Sequence, residues 1–271
     1  MINWRKYNGA LIPDHPPHVD VKFDEEDILK KIRNKRAYFA RWTTDFDCKK
    51  ETNFWYVIQD TPLDIKDYRP KIRNQIRRSL KKCIVRKIKK DDIINFGYDC
   101  YYNAFKKYNT HLIPLSKNNF FDYISSMSKD YEFWGVYSLD RRMIAFSINK
   151  VFGDYCDYSI MKFHPKYLRS RPSEALIFTM NKYYLNEQKF KYVNDGARSI
   201  SHKTNIQAFL INKFKFRKAY CRLNIIYDPK IKFILSIVYP LRHIFSLFNF
   251  SFFKQLNILI FQEQIRRGCD K

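Results

Sequence analysis

The 271-residue chain is short of acidic groups and of most motifs that announce a chemistry. Its six cysteines, Cys48, Cys83, Cys100, Cys156, Cys221 and Cys269, form no C-x-x-C pair. A disulfide framework and a zinc site both need a different spacing, so these read as structural thiols in a reducing, cytoplasmic compartment, and no metal is expected. There is no H-E-x-x-H, G-x-S-x-G or P-loop pattern, which removes zinc protease, serine hydrolase and NTPase readings. No apolar run follows the basic residues near Met1, so no signal peptide is expected. The longest uncharged run of the C-terminal tail has 11 residues, 243–253. That is short of the roughly 18–20 that a membrane-spanning helix takes. Internal repeats and low-complexity linkers are absent too.

What is present is a core and a large positive charge. Hydrophobic residues make up 45% of the chain and aromatics 18%, which excludes disorder. Lys and Arg exceed Asp and Glu by 51 − 27 = 24, which calls for an anionic partner: nucleic acid, a membrane surface or ligand phosphates. The excess is local. Residues 1–65 are neutral, whereas residues 66–90 hold 12 basic groups and one acid.

Within that basic segment Ile72, Ile76 and Leu80 recur every four residues, predicting a helix with one buried stripe. Arg73, Arg77, Arg78, Lys81 and Lys82 occupy the rest of its circumference and are the candidate contacts to a polyanion. Ile84–Ile88 reads as a strand, and helices follow from Asp91 to about Tyr108 and near 118–128. An alternating pattern then predicts an antiparallel meander, Phe133–Leu139, Met143–Val151 and Tyr155–Phe163. A loop, His164–Pro172, leads to a helix capped by Ser173, with Glu174 in its first turn. A strand ends at Asp195-Gly196, a helix spans about 203–213, and a last strand runs Phe216–Tyr227. Upstream, Asp24-Glu25-Glu26-Asp27 favours the start of a helix at Ile28–Arg36, and Phe54–Ile58 reads as a strand.

The order β-α-α-β-β-β-α-β-α-β resembles the GNAT N-acyltransferase fold. Asn205-x-x-Ala208-Phe209-Leu210-x-x-Lys213-Phe214-x-Phe216 is similar to that family's fourth helix and following strand. Arg73-Asn74-x-Ile76-Arg77-x-x-x-Lys81 before an Ile/Val strand resembles the second domain of Fem-type aminoacyl transferases. The resemblance implies an α/β (α+β) architecture: a GNAT-like mixed sheet with flanking helices over 66–228. It would be preceded by an N-terminal extension, 1–65, read as the remnant of a first Fem-like domain, and followed by an apolar and basic helical tail, 229–271.

The resemblance also implies a donor, acyl-CoA or aminoacyl-tRNA, and an amine acceptor, with a sugar or cell-envelope precursor as the class. In GNAT enzymes a glycine-bearing loop holds the coenzyme A pyrophosphate. Here Arg169-Ser170-Arg171-Pro172-Ser173-Glu174-Ala175 has no glycine, so Arg169 and Arg171 with the helix start at Ser173, and Asn205, are the donor-binding candidates. No tyrosine matches the family's general acid, and Lys215 stands where glycine is usual. Fem-type relatives use aminoacyl-tRNA and need no such loop, so both donors stay open.

The densest polar run is 194–205, leaving a strand and entering a helix. Transfer to an amine needs a base and donors for the developing oxyanion. Asp195 and His202 are the candidate bases, and Arg198 or the loop amides would stabilise the anion. The structural alternative is an Asp-Gly turn, an Arg198–Asp195 pair and a helix cap. Trp134 and Tyr158 on the meander face either the core or a substrate cleft. The tail either packs on the domain or lies against the inner face of an anionic membrane. Two readings follow: a Fem-like acyltransferase, or a non-catalytic module of degenerate GNAT fold whose basic face binds RNA or membrane.

Overall fold

The computed structural model describes residues 2–108, 113–200, 205–242 and 251–269. The chain begins with a hairpin, β1 (Trp4–Tyr7) and β2 (Ala10–Pro13), turned at Asn8 and Gly9, both of which have positive φ. Helix α1 (Glu25–Asn34) starts when the Asp24 side chain accepts the Asp27 N–H at 3.0 Å. The acidic cluster is therefore the first helical turn itself, so the helix opens three residues earlier than Ile28. Strands β3 (Phe39–Thr44) and β4 (Phe54–Gln59) follow, then a 3₁₀ turn, Ile65–Asp67.

The basic segment forms α2 (Pro70–Lys82) and β5 (Cys83–Ile88). Ile76 and Ser79 are buried and Ile72 is half-buried, while Leu80 is 39% exposed. The inward face follows 72, 76 and 79, the mixed four- and three-residue step of an α-helix, and Leu80 sits at its margin. The helical stretch expected from Asp91 divides at Gly97 into α3 (Lys90–Phe96) and α4 (Tyr98–Phe105), and α5 (Lys117–Ser125) comes next. The meander is β6 (Tyr131–Ser138), β7 (Met143–Phe152) and β8 (Tyr155–Phe163).

A 3₁₀ turn, Pro165–Ser170, enters α6 (Pro172–Asn181), which continues as a π-helical turn, Lys182–Glu187. Arg171, in the left-handed region at φ 57°, is the N-cap rather than Ser173, because Pro172 takes the first helical position that suits its fixed φ. Strand β9 (Tyr192–Ala197), α7 (Ile206–Phe214), β10 (Arg217–Tyr227), α8 (Pro229–Val238) and α9 (Ser251–Cys269) complete the chain.

Two compact units divide these elements. The first comprises residues 1–57, 197–205 and 218–271, and the second 58–196 and 206–217. The division thus joins both chain ends in one unit instead of following the segments 1–65, 66–228 and 229–271. Sequence blocks cannot register this, since it depends on β10 pairing antiparallel with β3 across about 180 residues, Arg222 opposite Thr44 through Tyr227 opposite Phe39.

In the first unit the strand order is β1-β2-β3-β10-β4. Its core gathers Phe54, Cys221, Leu223, Ile265 and Cys269, so the described C-terminal helix α9 packs within this unit. In the second unit the order is β9-β8-β7-β6-β5, antiparallel except for the parallel pair β8–β9. One face packs Ile93, Cys100, Phe120, Ile124, Phe146 and Ile148 beneath α3–α5. Helix α6 is apolar nearly all round and is buried accordingly, with Leu176, Ile177 and Met180 inaccessible. Among the described residues, no helix is long and apolar enough to cross a membrane.

Candidate active site

The parallel ladder between β8 and β9 is short. Tyr155, Cys156 and Asp157 stand opposite Tyr192, Val193 and Asn194, and there the pairing ends. On its other side β8 carries a bulge. Ile148 opposes Ile160 and Lys150 opposes Asp157, so Tyr158 and Ser159 together face the single residue Asn149. Beyond Asp157, the backbone of β8 has no β9 residue in register among the described residues. The registered pairing of the two strands ends at this point, next to Asp157 and Asp195.

Asp195 is the first residue of β9 past the last pair. Burial, and secondarily the neighbouring Asp157 carboxylate, push its carboxyl up to about 8. A carboxyl displaced so far keeps its proton until pH values at which it can act as a base toward an amine. Asp157 is anchored at the opposite side, where its Oδ1 accepts from Asn194 Nδ2 at 3.3 Å. Asn194 in turn accepts the Gly196 N–H at 2.9 Å. Gly196 has φ 96°, a conformation that disfavours every residue with a β-carbon, and it bends the chain just after Asp195. Asp195-Gly196 is therefore a kink inside β9, and the strand runs on to Ala197 rather than ending there.

Tyr158 follows Asp157 on β8. It is 4% exposed, donates to Asn181 Oδ1 at 2.8 Å, and has its hydroxyl pKa raised by burial and by Cys156, Tyr68 and Asp195 nearby. Beside Asn181, the Tyr68 ring lies edge-on to Phe178 and Phe214. Trp134 is placed differently. It is buried, its indole N–H donates to Tyr184 Oη at 3.0 Å, and its ring packs against Tyr183 and Tyr184.

The start of α6 is organised around Glu174. This side chain is 4% exposed and accepts from Lys213 at 2.9 Å, Ser173 at 2.8 Å and Arg171 at 3.3 Å. Burial alone would raise its pKa, but the hydrogen bonds from Lys213 and Ser173 outweigh that and hold it below the ordinary value. The Arg171 N–H goes to Leu168 O, and the Glu174 and Ala175 N–H groups to Arg171 O. Arg171 and Ser173 are thus occupied inside the protein, while Arg169 is exposed and forms no ion pair among the described residues.

Arg198 belongs to the first unit and Asp195 to the second. Its backbone N–H donates to Trp55 O at 2.8 Å, its guanidinium donates to Asn53 O at 2.6 Å, and it lies over the Trp55 and Phe261 rings. Asn205 is exposed in that first unit, and His202 lies outside the described residues. Sequence reasoning passed over Asp157 and Asn181. A lone Asp in the apolar run Tyr155–Phe163 was the available signal for the first; nothing in the sequence marks the second.

On α2, Arg77, Arg78, Lys81 and Lys82 are exposed, Arg73 is half-buried, and none forms an ion pair among the described residues. No three His, Cys, Asp or Glu side chains among the described residues are grouped to hold a metal.

No family model matches the chain. No curated protein matches it by sequence. Solved structures do match by shape. FemX aligns with TM-score 0.57 over 88% of this chain and 86% of its own, at 9% identity. The fold is that of Fem-like, GNAT-type proteins. The C-terminal domain of a putative lysylphosphatidylglycerol synthetase from Agrobacterium fabrum aligns with TM-score 0.53 over 88% of this chain and 83% of that one, at 14% identity. L-PGS from Bacillus licheniformis gives TM-score 0.52, covering 87% and 84% at 11% identity. The GNAT-like architecture that the element order implied is thus the observed one, meander included.

Proposed function

We propose that the protein transfers an acyl or aminoacyl group to an amine, with Asp195 as general base. The observation that carries this is a carboxyl with a pKa near 8 at the point where β8 and β9 part. In this reading the acceptor nitrogen attacks the donor carbonyl, and the Asp195 carboxylate takes the proton that nitrogen loses. In the same proposal backbone N–H groups of β8 beyond Asp157 meet the developing oxyanion, and the donor's oxygen or sulfur leaves with the proton that Asp195 took, which restores the carboxylate. Tyr158, bonded to Asn181, holds β8 in place next to Asp157.

The donor that fits better is aminoacyl-tRNA. A coenzyme A pyrophosphate asks for free amides at the start of α6, and those of Arg171, Glu174 and Ala175 are already bonded within the protein. The unpaired cations of α2 suit an RNA backbone, where each neutralised phosphate adds salt-dependent affinity. One neighbour in shape is named as a putative lysylphosphatidylglycerol synthetase, which supports an aminoacyl group as the one moved. An amine on a cell-envelope or sugar precursor is the acceptor class of this proposal.

The test supplies a mixed aminoacyl-tRNA pool, or acyl-CoA species, together with a panel of amino sugars and amine-bearing envelope precursors. Mass change of the amine reports transfer. We expect transfer from aminoacyl-tRNA and a loss of about 10²–10⁴-fold in kcat for Asp195→Asn, the usual worth of a general base. Discharge of neither donor by the wild-type protein would leave the non-catalytic reading in its place.

A further inference from the structure

Helix α8 turns an apolar face outward. Phe233 is 67% exposed and Ile237 54%, with Ile234 and, in the turn after the helix, Leu241 exposed beside them. At 100° per residue, Phe233, Ile234 and Ile237 share an arc of about 100° with Lys230. The opposite side is the packed one, where Leu235 and Ile231 join Phe39, Ala10 and Tyr227. The outward residues are therefore surplus to the core of their unit. Folded proteins seldom leave large apolar side chains clustered at the surface without a use for them.

The charge around this face says what covers it. From Pro229 to Arg242 the chain has three basic residues, Lys230, Lys232 and Arg242, and no acid. Lys230, within that arc, is exposed and forms no ion pair among the described residues, while Lys232 stands about 150° from the centre of the arc. A second copy docked face to face would gather the basic residues of both copies into one contact, with no acid of α8 to pair them. A soluble polyanion would satisfy the lysines and leave Phe233 and Ile237 in water. An anionic lipid surface satisfies both, with apolar side chains at the acyl boundary and ammonium groups among the phosphates.

We propose that α8 docks this protein on an anionic lipid surface through Phe233, Ile234, Ile237 and Leu241, with Lys230 at the headgroups. The proposal rests on α8 alone and holds whether or not the transfer reading does. Its test is co-sedimentation of the full chain with vesicles of phosphatidylcholine, with and without phosphatidylglycerol. We expect binding to the anionic vesicles and little to the neutral ones. Phe233→Ser with Ile237→Ser should lower the partition coefficient by about tenfold or more, and Lys230→Glu by a similar factor.

All three positions face solvent, and unchanged circular dichroism and melting temperature would exclude misfolding as the cause. Arg77→Glu with Lys81→Glu on α2 should keep most of the vesicle binding. The proposal is overturned if the wild-type chain ignores anionic vesicles at low salt. It is equally overturned if only the α2 variant loses binding, or if the Phe233/Ile237 variant converts a dimer to a monomer in sedimentation velocity.

Discussion

A carboxyl that titrates near pH 8 affects the molecule in two ways as pH rises, and at Asp195 these pull in opposite directions. Its folded pKa stands above the value of about 3.9 usual in an unfolded chain, so the folded protein holds this proton more tightly. The stabilisation from that proton is complete below about pH 4 and is lost as pH climbs through 8. Ionisation is nevertheless what makes the group a base. Transfer should therefore rise with pH along a limb of apparent pKa near 8, while stability declines over pH 4–8. Asp195→Asn should remove both trends, becoming more stable than wild type at pH 8.5 by on the order of a few kcal/mol. Urea melts of the two proteins at pH 5 and 8.5 decide it; parallel curves would mean that Asp195 is not held protonated. Lys215 illustrates a different residue-level cost. It occupies φ 58°, the left-handed conformation that glycine adopts freely, at the position after α7 where the resembling family has glycine. Its side chain is exposed, so Lys215→Gly gives up little packing and should raise stability by about 1 kcal/mol in urea unfolding.

Among the elements, α2 is the one whose charge has no internal purpose. Arg77, Arg78, Lys81 and Lys82 lie on its outer side without acidic partners, whereas a helix selected only to fold would gain from glutamates at four-residue spacing. Arg77→Glu with Lys81→Glu should weaken RNA binding and flatten its salt dependence by about one to two units of log–log slope. Filter binding at several salt concentrations measures this, and an unchanged slope would make the face merely solvated. The elements also show what could be read in advance. The meander was legible because β6–β8 are short runs rich in apolar and aromatic residues joined by tight turns, a local pattern, although β6 and β7 are buried in unbroken runs rather than in alternation. The β1–β2 hairpin carried an equally local signal, Asn8-Gly9 between two short runs, that went unread. Strand β3 has no alternation in Phe-Ala-Arg-Trp-Thr-Thr and is defined by its partner β10, a contact that no window of sequence contains. The candidate site divides the same way: Asp195 stood out in a polar run, while Asn181 matters only because α6 delivers it to Tyr158.

At the scale of the whole molecule the decisive fact is arithmetic. Even if every one of the 27 acidic groups were paired with a base, 51 − 27 = 24 cations would remain. Surplus like charge repels itself in the compact state and is relieved on unfolding, so it lowers stability at low ionic strength. Added salt acts on both sides of this balance. It weakens ion pairs such as Arg142–Asp99 and Lys191–Asp154, both exposed and worth little individually, and it screens the repulsion among the surplus cations. The repulsive pairs are more numerous, so screening should stabilise on balance. The melting temperature should therefore rise between about 20 and 300 mM NaCl, where the Debye length falls from roughly 20 to 6 Å. A polyanion should do more than salt, because it binds the folded basic surface as well as screening it. At 20 mM NaCl, micromolar heparin or RNA should raise the melting temperature beyond what 300 mM NaCl achieves. Arg77→Glu with Lys81→Glu should shrink the polyanion increment and narrow the salt response by removing four units of net charge. A melting temperature that falls with salt would mean that ion pairs outweigh the surplus, and the basic face would lose its claim to a polyanionic partner.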